Sequence, residues 1–212
     1  MSDSPRQSAS VPRGRHAPPL EVRLGVQRER LFEAAAREFA SVGFAEATAE
    51  SISRAAGMSK ATFYEHFANK EECLLALFDE AAKLVLGRMG EASESTFPTY
   101  EARVENGVRL FLETLTAFPD AAQTLLVQVI AAGPRAAERR DRVMEAFAEF
   151  LESDNRRHGD RFFASRDDAY AIVGAIVELV TRQMRTGTPA DVRELEPVIE
   201  RLIFGLLTAA QR

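Results

Sequence analysis

A short polar run, SKATFYEHF from Ser59 to Phe67, holds the side chains best suited to chemistry in this 212-residue chain. The chemistry they suit is contact with nucleic acid. Lys60 can donate to guanine O6 or N7, and Ala61 and the Thr62 methyl can meet a thymine methyl. Tyr64, His66 and, outside the run, Thr48 and Lys70 can donate to phosphate oxygens, which sets register without reading sequence. Ser59 stands where a helix N-terminus would attract phosphate. Glu65 can accept from cytosine N4 but is repelled near phosphates, and it receives no role. Each residue also has an ordinary reading. Lys60 and Glu65 can be solvated charges, His66 a surface histidine, and Tyr64 a packing partner of Phe67. Taken singly, the ordinary readings win; the setting of the run shifts the balance.

That setting is two short helices and a turn. Thr48 is a good N-cap for the first, which carries Ile52, Ala55 and Ala56 on its apolar face. Ser51 stands three residues on, so a full capping box is not expected. Gly57 permits the positive φ of a tight turn. Ser59 caps the second helix, whose Phe63 and Phe67 (i, i+4) face inward. A helix-turn-helix needs this order of parts, with the second helix entering the major groove. Ahead of it, residues 23–42 fit a supporting helix with Leu31, Ala35 and Phe39 on one face and Phe32 and Ala36 beside them. Gly43 is a natural residue to end it, and Phe44 packs into the small core. Residues 1–22, rich in Ser, Pro and Arg, read as a disordered basic tail. Its Arg6, Arg13 and Arg15 either touch phosphates or a minor groove, or do nothing.

Behind the run, Asn69 caps a further helix, with Glu71 and Glu72 suited to its first turn. Helices are expected over 70–92, 99–118, 120–132, 135–157, 167–186 and 197–210, separated by Pro and Gly stops. Ser165 and Asp168 form a capping signature for the fifth of these. Phe162 and Phe163 are expected to pin a loop to the body. No strand pattern is convincing. The fold class is therefore all-α with about nine helices: a helix-turn-helix domain over 23–69, and a larger helical domain for ligand binding and dimerisation over 70–212. The last two helices are apolar around much of their circumference, which suggests that they pair two copies of the chain. Gly174 and Ala175 would allow close approach. Burial in the core of a monomer is the alternative.

Composition narrows the function. The net charge of −5 argues against nucleic acid if taken whole. Its distribution does not: residues 1–70 hold ten Lys and Arg against eight Asp and Glu, so the basic excess sits with the run. The single cysteine, Cys73, excludes an internal disulfide and a Cys-based zinc framework and reads as a packing residue. No apolar stretch reaches the ~18 residues of a membrane span, and the N-terminus has no apolar signal core; a cytoplasmic protein is expected. No hydrolase elbow, phosphate loop, dinucleotide fingerprint or zinc-protease motif is present, so neither an enzyme nor a cofactor or metal is expected. In the body, Phe111 and Phe147 are candidate walls of a ligand pocket, and Gln128 and Glu178 candidate polar anchors. The plain reading of Glu178 is an ion pair with Arg182 at i+4. A mainly apolar small molecule is the expected effector.

Residues from about 30 to 78 resemble the N-terminal domain of the TetR family of bacterial transcriptional regulators. The resemblance rests on Ala35, Phe39, Gly43, Thr48, Ile52, Ala55, Gly57, Ser59, Thr62, Tyr64, Phe67, Lys70, Glu71 and Leu74, and above all on the run GMSKATFYEHFANKEECL. Ala61 stands where glycine is frequent, and Ser53 where alanine is frequent. The resemblance implies a homodimer paired through C-terminal helices, a double-stranded DNA operator, a small-molecule effector in the body, and repression relieved by that effector. It implies that Lys60, Ala61 and Thr62 face bases and that Thr48, Tyr64, His66 and Lys70 face phosphates. A regulator acting without ligand, an activator, or a helical interaction module with a vestigial helix-turn-helix are the alternatives.

Overall fold

The computed structural model describes residues 20–209. The expected basic tail therefore lies almost wholly outside the described residues, and Leu20 already opens the first helix. Helix α1 (Leu20–Glu46) buries Leu31, Ala34, Ala35 and Phe39 completely, a stripe at helical spacing. Gly43 ends its regular part, as expected, with φ 83°. One further turn follows before Ala47. Helix α2 (Ala49–Ala55) is capped by Thr48. Here the expectation of an incomplete cap fails. The Thr48 hydroxyl accepts from the Ser51 amide, and the Ser51 hydroxyl accepts from the Thr48 amide at 3.1 Å. A serine at the third helical position thus closes a capping box, because its short hydroxyl reaches back as Glu or Gln would.

Gly57, at φ 66°, turns the chain into α3 (Lys60–His66). Asn69 caps α4 (Lys70–Ser93) by accepting from the Glu72 amide. The small core of this head gathers Leu31, Phe39, Ile52, Phe63 and Phe67, and also Cys73, Leu74 and Leu77. The first turns of α4 thus belong to the head, while its remainder belongs to the body. Burial drives the Cys73 thiol up to about 12, so it packs as an inert apolar group.

The body contains α5 (Tyr100–Ala117), α6 (Pro119–Gln123), α7 (Pro134–His158), α8 (Arg166–Thr186) and α9 (Glu196–Gly205). Among the described residues this makes nine α-helices. Three details depart from the periodicity. The expected helix over 120–132 is α only to Gln123; it widens into a π turn (Thr124–Gln128) and tightens into a 3₁₀ turn (Val129–Ala132). The last helix stops at Gly205, not 210. Leu207–Ala209 instead pairs antiparallel with Arg161–Phe163, Phe163 opposite Leu207, so the loop expected at Phe162 and Phe163 is a short strand. Three residues cannot display an alternation, and the partner lies far away in sequence. The anticipated caps otherwise hold: Ser165 with Asp168 opens α8 and a left-handed Gly187 closes it.

Helix α8 packs mainly on α7, and a Cβ on Gly174 would lie 3.6 Å from the Met144 methyl. The small residue therefore serves a contact within the chain. No single helix among the described residues is long and apolar enough to cross a membrane.

Candidate nucleic-acid interface and the cavity behind it

Helix α3 is held from beneath by aromatic rings. Phe63 is fully buried and Phe67 nearly so, with ring centroids 5.5 Å apart. Phe32 of α1 stacks on Phe67 at 5.5 Å, and the Arg28 guanidinium covers both Phe32 and Phe67. Ring pairs of this geometry add about 0.5–1.5 kcal/mol each beyond their buried area. Arg30 donates to the Ala56 carbonyl at 2.8 Å and lies against Gly57, so it clamps the turn from below. Neither Arg28 nor Arg30 was singled out from sequence. Their one available signal was position: Arg28 stands four residues before Phe32, on the same face of α1, and Arg30 immediately precedes Leu31.

What remains outward is the surface the run suggested. Lys60, Ala61, Tyr64 and Glu65 are exposed. Tyr64 stands edge-on to Phe63, not on Phe67, and keeps half its surface in solvent. Ser59 and Thr62 share a hydroxyl–hydroxyl hydrogen bond of 2.9 Å, which steadies the first turn of α3, and Thr62 is half-buried. Thr48 is exposed at the start of α2; its hydroxyl accepts within the cap and retains a hydrogen to donate. The structure thus brings Thr48, Ser59, Lys60, Ala61, Thr62 and Tyr64 to the surface of one helix-turn-helix.

Two residues behave differently from the expectation. Lys70 was expected to grip phosphate. Its ammonium instead donates to the carbonyls of Phe44, Ala45 and Ala47 at 2.8, 2.8 and 2.9 Å, and lies 4.8 Å from the centre of the Phe44 ring. A lysine has three donors, and all three are spent on the chain end that follows Gly43. Lys70 is a cap for that segment, placed there by a fold contact that sequence spacing does not show. His66 is half-buried and bonded through Nε2 to Gln27 at 3.3 Å. Burial, then repulsion from Arg28, hold its pKa below the usual histidine value, against the pull of Glu65. The shift favours its uncharged form over the cation.

Behind the head, α4, α5, α7, α8 and α9 enclose a cavity of about 180 Å³. Phe111 and Phe147 are on its wall, with Val85, Met89, Val104 and Leu126. Its polar end is a cluster under the α4–α5 connection. Arg103 and Asp154 are paired at 3.4 Å with side chains only 10% and 13% exposed, and Arg103 also donates to the Ser93 and Ser95 carbonyls. Tyr100 joins them on the wall; burial drives its phenol up to about 12.

The two expected polar anchors lie elsewhere. Glu178 is well exposed, and it pairs with Arg185 at 3.4 Å, two turns away, not with Arg182. Gln128 is absent from the cavity wall; its side-chain oxygen accepts from the Phe44 amide of the head at 3.2 Å. Thr124, fully buried in the same π turn, donates to the Ala36 carbonyl of α1 at 3.0 Å. Leu125 and Leu126, between these two residues, face the cavity. No cluster of three or more metal-ligating side chains occurs among the described residues.

Residues 31–77 match the family model for bacterial regulatory proteins of the tetR family. Over 193 residues the chain is 29% identical to an uncharacterised HTH-type transcriptional regulator, YdgC, of Bacillus subtilis (strain 168), covering 85% of this chain and 92% of that protein. Among solved structures it is similar to the fatty acid degradation regulator FadR of Bacillus halodurans, with TM-score 0.73 at 21% identity over 84% of this chain and 95% of that one. It is also similar to FadR of Bacillus subtilis in complex with stearoyl-CoA, with TM-score 0.72 at 17% identity over 82% and 96%. These two structural likenesses concern the fold. With a capped helix-turn-helix over the matched residues, a helical body behind it, and a regulator aligned along nearly its whole length, the chain carries at residues 31–77 the DNA-binding domain of the TetR family of transcriptional regulators.

Proposed function

We propose that the protein is a homodimeric repressor that leaves a roughly palindromic operator when a small, mainly apolar molecule fills the body cavity. In this reading Lys60, Ala61 and Thr62 face bases, while Thr48, Ser59, Tyr64 and an uncharged His66 hold phosphates. Two α3 helices enter successive major grooves about 34–36 Å apart. Pairing uses the outer faces of α8 and α9, where Val198, Leu202 and Leu206 keep apolar surface in solvent. The protein works in the cytoplasm, beside the DNA it binds.

One observation carries the reading. The π turn Thr124–Gln128 supplies both cavity wall and head anchors. Displacing Leu125 or Leu126 by a ligand strains the bonds of Thr124 to α1 and of Gln128 to the Phe44 amide. Helix α4, shared by both cores, provides the lever on the other side. The head then tilts, and the spacing of the two reading helices changes. A ligand acts this way only by its differential affinity for the two arrangements.

The test is a titration of DNA upstream of the protein's own gene at several salt concentrations, with sedimentation of the complex. A specific complex of two chains per site whose affinity falls steeply with salt is expected. A specific complex with one chain per site would overturn the dimer. No specific complex at low salt would overturn the operator.

A further inference from the structure

One face of α1 outruns the helix-turn-helix it supports. Arg23, Gln27, Arg30 and Ala34 stand at i, i+4, i+7 and i+11, on the same side of the helix. Each meets a different part of the head. Ala34 lies in its core, Arg30 is bonded under the turn at Ala56, and Gln27 meets His66, the last residue of α3. Arg23 is one turn farther out, about 6 Å along the axis at ~1.5 Å per residue. It lies upstream of residues 31–77, the stretch that matches the family model. Apolar burial did not choose this face. Val22, Leu24 and Val26, in the same turns, are exposed, whereas Arg23 and Gln27 are half-buried.

The cations of these turns are used unequally. Arg28 lies over the rings of Phe32 and Phe67, and Arg30 is spent on the Ala56 carbonyl. Among the described residues Arg23 makes no hydrogen bond or ion pair, and its Nε is covered without an acceptor. Its stem is thus already laid against the protein, so binding would cost it less side-chain freedom than a fully solvated arginine. One turn away, the Gln27 Oε1 is taken up by His66 at 3.3 Å, and its amide hydrogens have no partner among the described residues. What remains at this end of α1 is donors alone, a guanidinium fork and an amide, with a positive charge and no spare acceptor. Such a set fits an anion rich in acceptors. A row of donors spaced by a helical turn suits a row of phosphates, and it continues from His66, already read as a phosphate contact.

We propose that the first two turns of α1 are a second DNA-contacting element outside the helix-turn-helix, in which Arg23 and the Gln27 amide hold backbone phosphates beside His66. This rests on the reading above that α3 enters the major groove. Contacts of this kind fix the angle of α3 on the duplex and carry no base preference.

Full-length wild type, Arg23→Gln, Arg23→Lys and Gln27→Glu are titrated with the fragment upstream of the protein's own gene and with an unrelated duplex of equal length, at several salt concentrations. Arg23→Gln is expected to weaken both duplexes by a similar factor, about tenfold at low salt, and to flatten the slope of log affinity against log salt by about 0.9 for each chain bound. Arg23→Lys keeps the charge and should restore the slope. Gln27→Glu keeps an oxygen for His66 but sets a negative charge against the phosphates, and should weaken both duplexes at least as much. Urea unfolding of the Arg23 variants should match wild type, since Arg23 has no partner to lose within the described residues. Arg23→Gln with unchanged affinity and slope overturns the contact. A loss confined to one operator base pair makes Arg23 a base reader and overturns the phosphate assignment. Equal losses in Arg23→Gln and Arg23→Lys, with easier unfolding, make its role structural and overturn it too. A wild-type chain that binds neither duplex overturns the DNA reading itself; wild-type binding with all three variants unchanged overturns only the α1 element.

Discussion

The head and the body are built by opposite rules. In the head, nearly every group is committed: Leu31, Ala34, Ala35, Phe39, Ile52 and Phe63 are all fully buried, α2, α3 and α4 each begin on a side-chain cap, and Lys70 spends its whole ammonium on three carbonyls. In the body, long helices lie side by side with a void between them, and Phe111, Phe147 and Val104 stay only partly buried along it. If Lys60 and Tyr64 contact DNA as proposed, over-determination of the head holds them in a fixed geometry. The body lacks packing contacts along the cavity wall and is the softer half, as the proposed entry of a ligand requires.

The largest expected effect tests the commitment of the head. Lys70→Ala leaves the carbonyls of Phe44, Ala45 and Ala47 without their donor. A loss of about 2–4 kcal/mol in urea unfolding is expected, since hydrogen bonds to a charged donor contribute about 1.5–3 kcal/mol each and are not additive. Stability unchanged, together with a flatter salt dependence of DNA binding, would return Lys70 to the phosphates.

A matched pair of substitutions tests the contrast itself. Ala35→Leu forces a larger side chain into a full core and should cost about 1–3 kcal/mol. Ala82→Leu adds the same atoms on the cavity wall and should be neutral, or stabilise by about 0.5–2 kcal/mol, while blocking ligand. Equal costs at the two sites would mean the void is not available.

Lys60→Ala should leave stability alone and change base preference by about 1–3 kcal/mol at one operator position. An equal loss for every operator variant would make Lys60 a phosphate contact. Smallest is the pH effect of His66. Its folded pKa is lowered, so its stability contribution is present above the unfolded value near 6.5 and is lost as pH falls below it. A nearby phosphate acts the other way and raises that pKa in the complex. If His66 touches phosphate, operator affinity should rise as pH falls from 7.5 to 6, and His66→Gln should remove the slope. A slope that survives in the variant would place the titrating group elsewhere.

Much of the head was readable because its signals are local. Thr48, Ser59 and Asn69 cap, and Gly43 and Gly57 turn, through groups two to four residues away. The stripe of Leu31, Ala35 and Phe39 needs one helix only. The bonds of Lys70 to the carbonyls of Phe44, Ala45 and Ala47 were not legible for the complementary reason: those partners lie more than twenty residues upstream, and an exposed lysine and a capping lysine look alike in sequence. The body was legible as helices and little more. Glu178 and Gln128 stood out as polar residues in apolar company, but which face each occupies depends on the neighbouring helix and, for Gln128, on the widened π turn. The pairing of Phe163 with Leu207 left no trace in either segment.

Sequence alone was enough to determine an all-helical chain, a capped helix-turn-helix between Thr48 and Lys70, and the outward set Lys60, Ala61 and Tyr64. Each follows from periodicity, capping and turn chemistry, which act within one or two turns of chain. Tertiary structure alone decided that Lys70 faces inward, that Thr124 and Gln128 hold the head, and that Arg103 and Asp154 pair on the cavity wall. Such placements come from packing between distant elements, where a single helix turn changes a neighbour and one strand's worth of register changes a role.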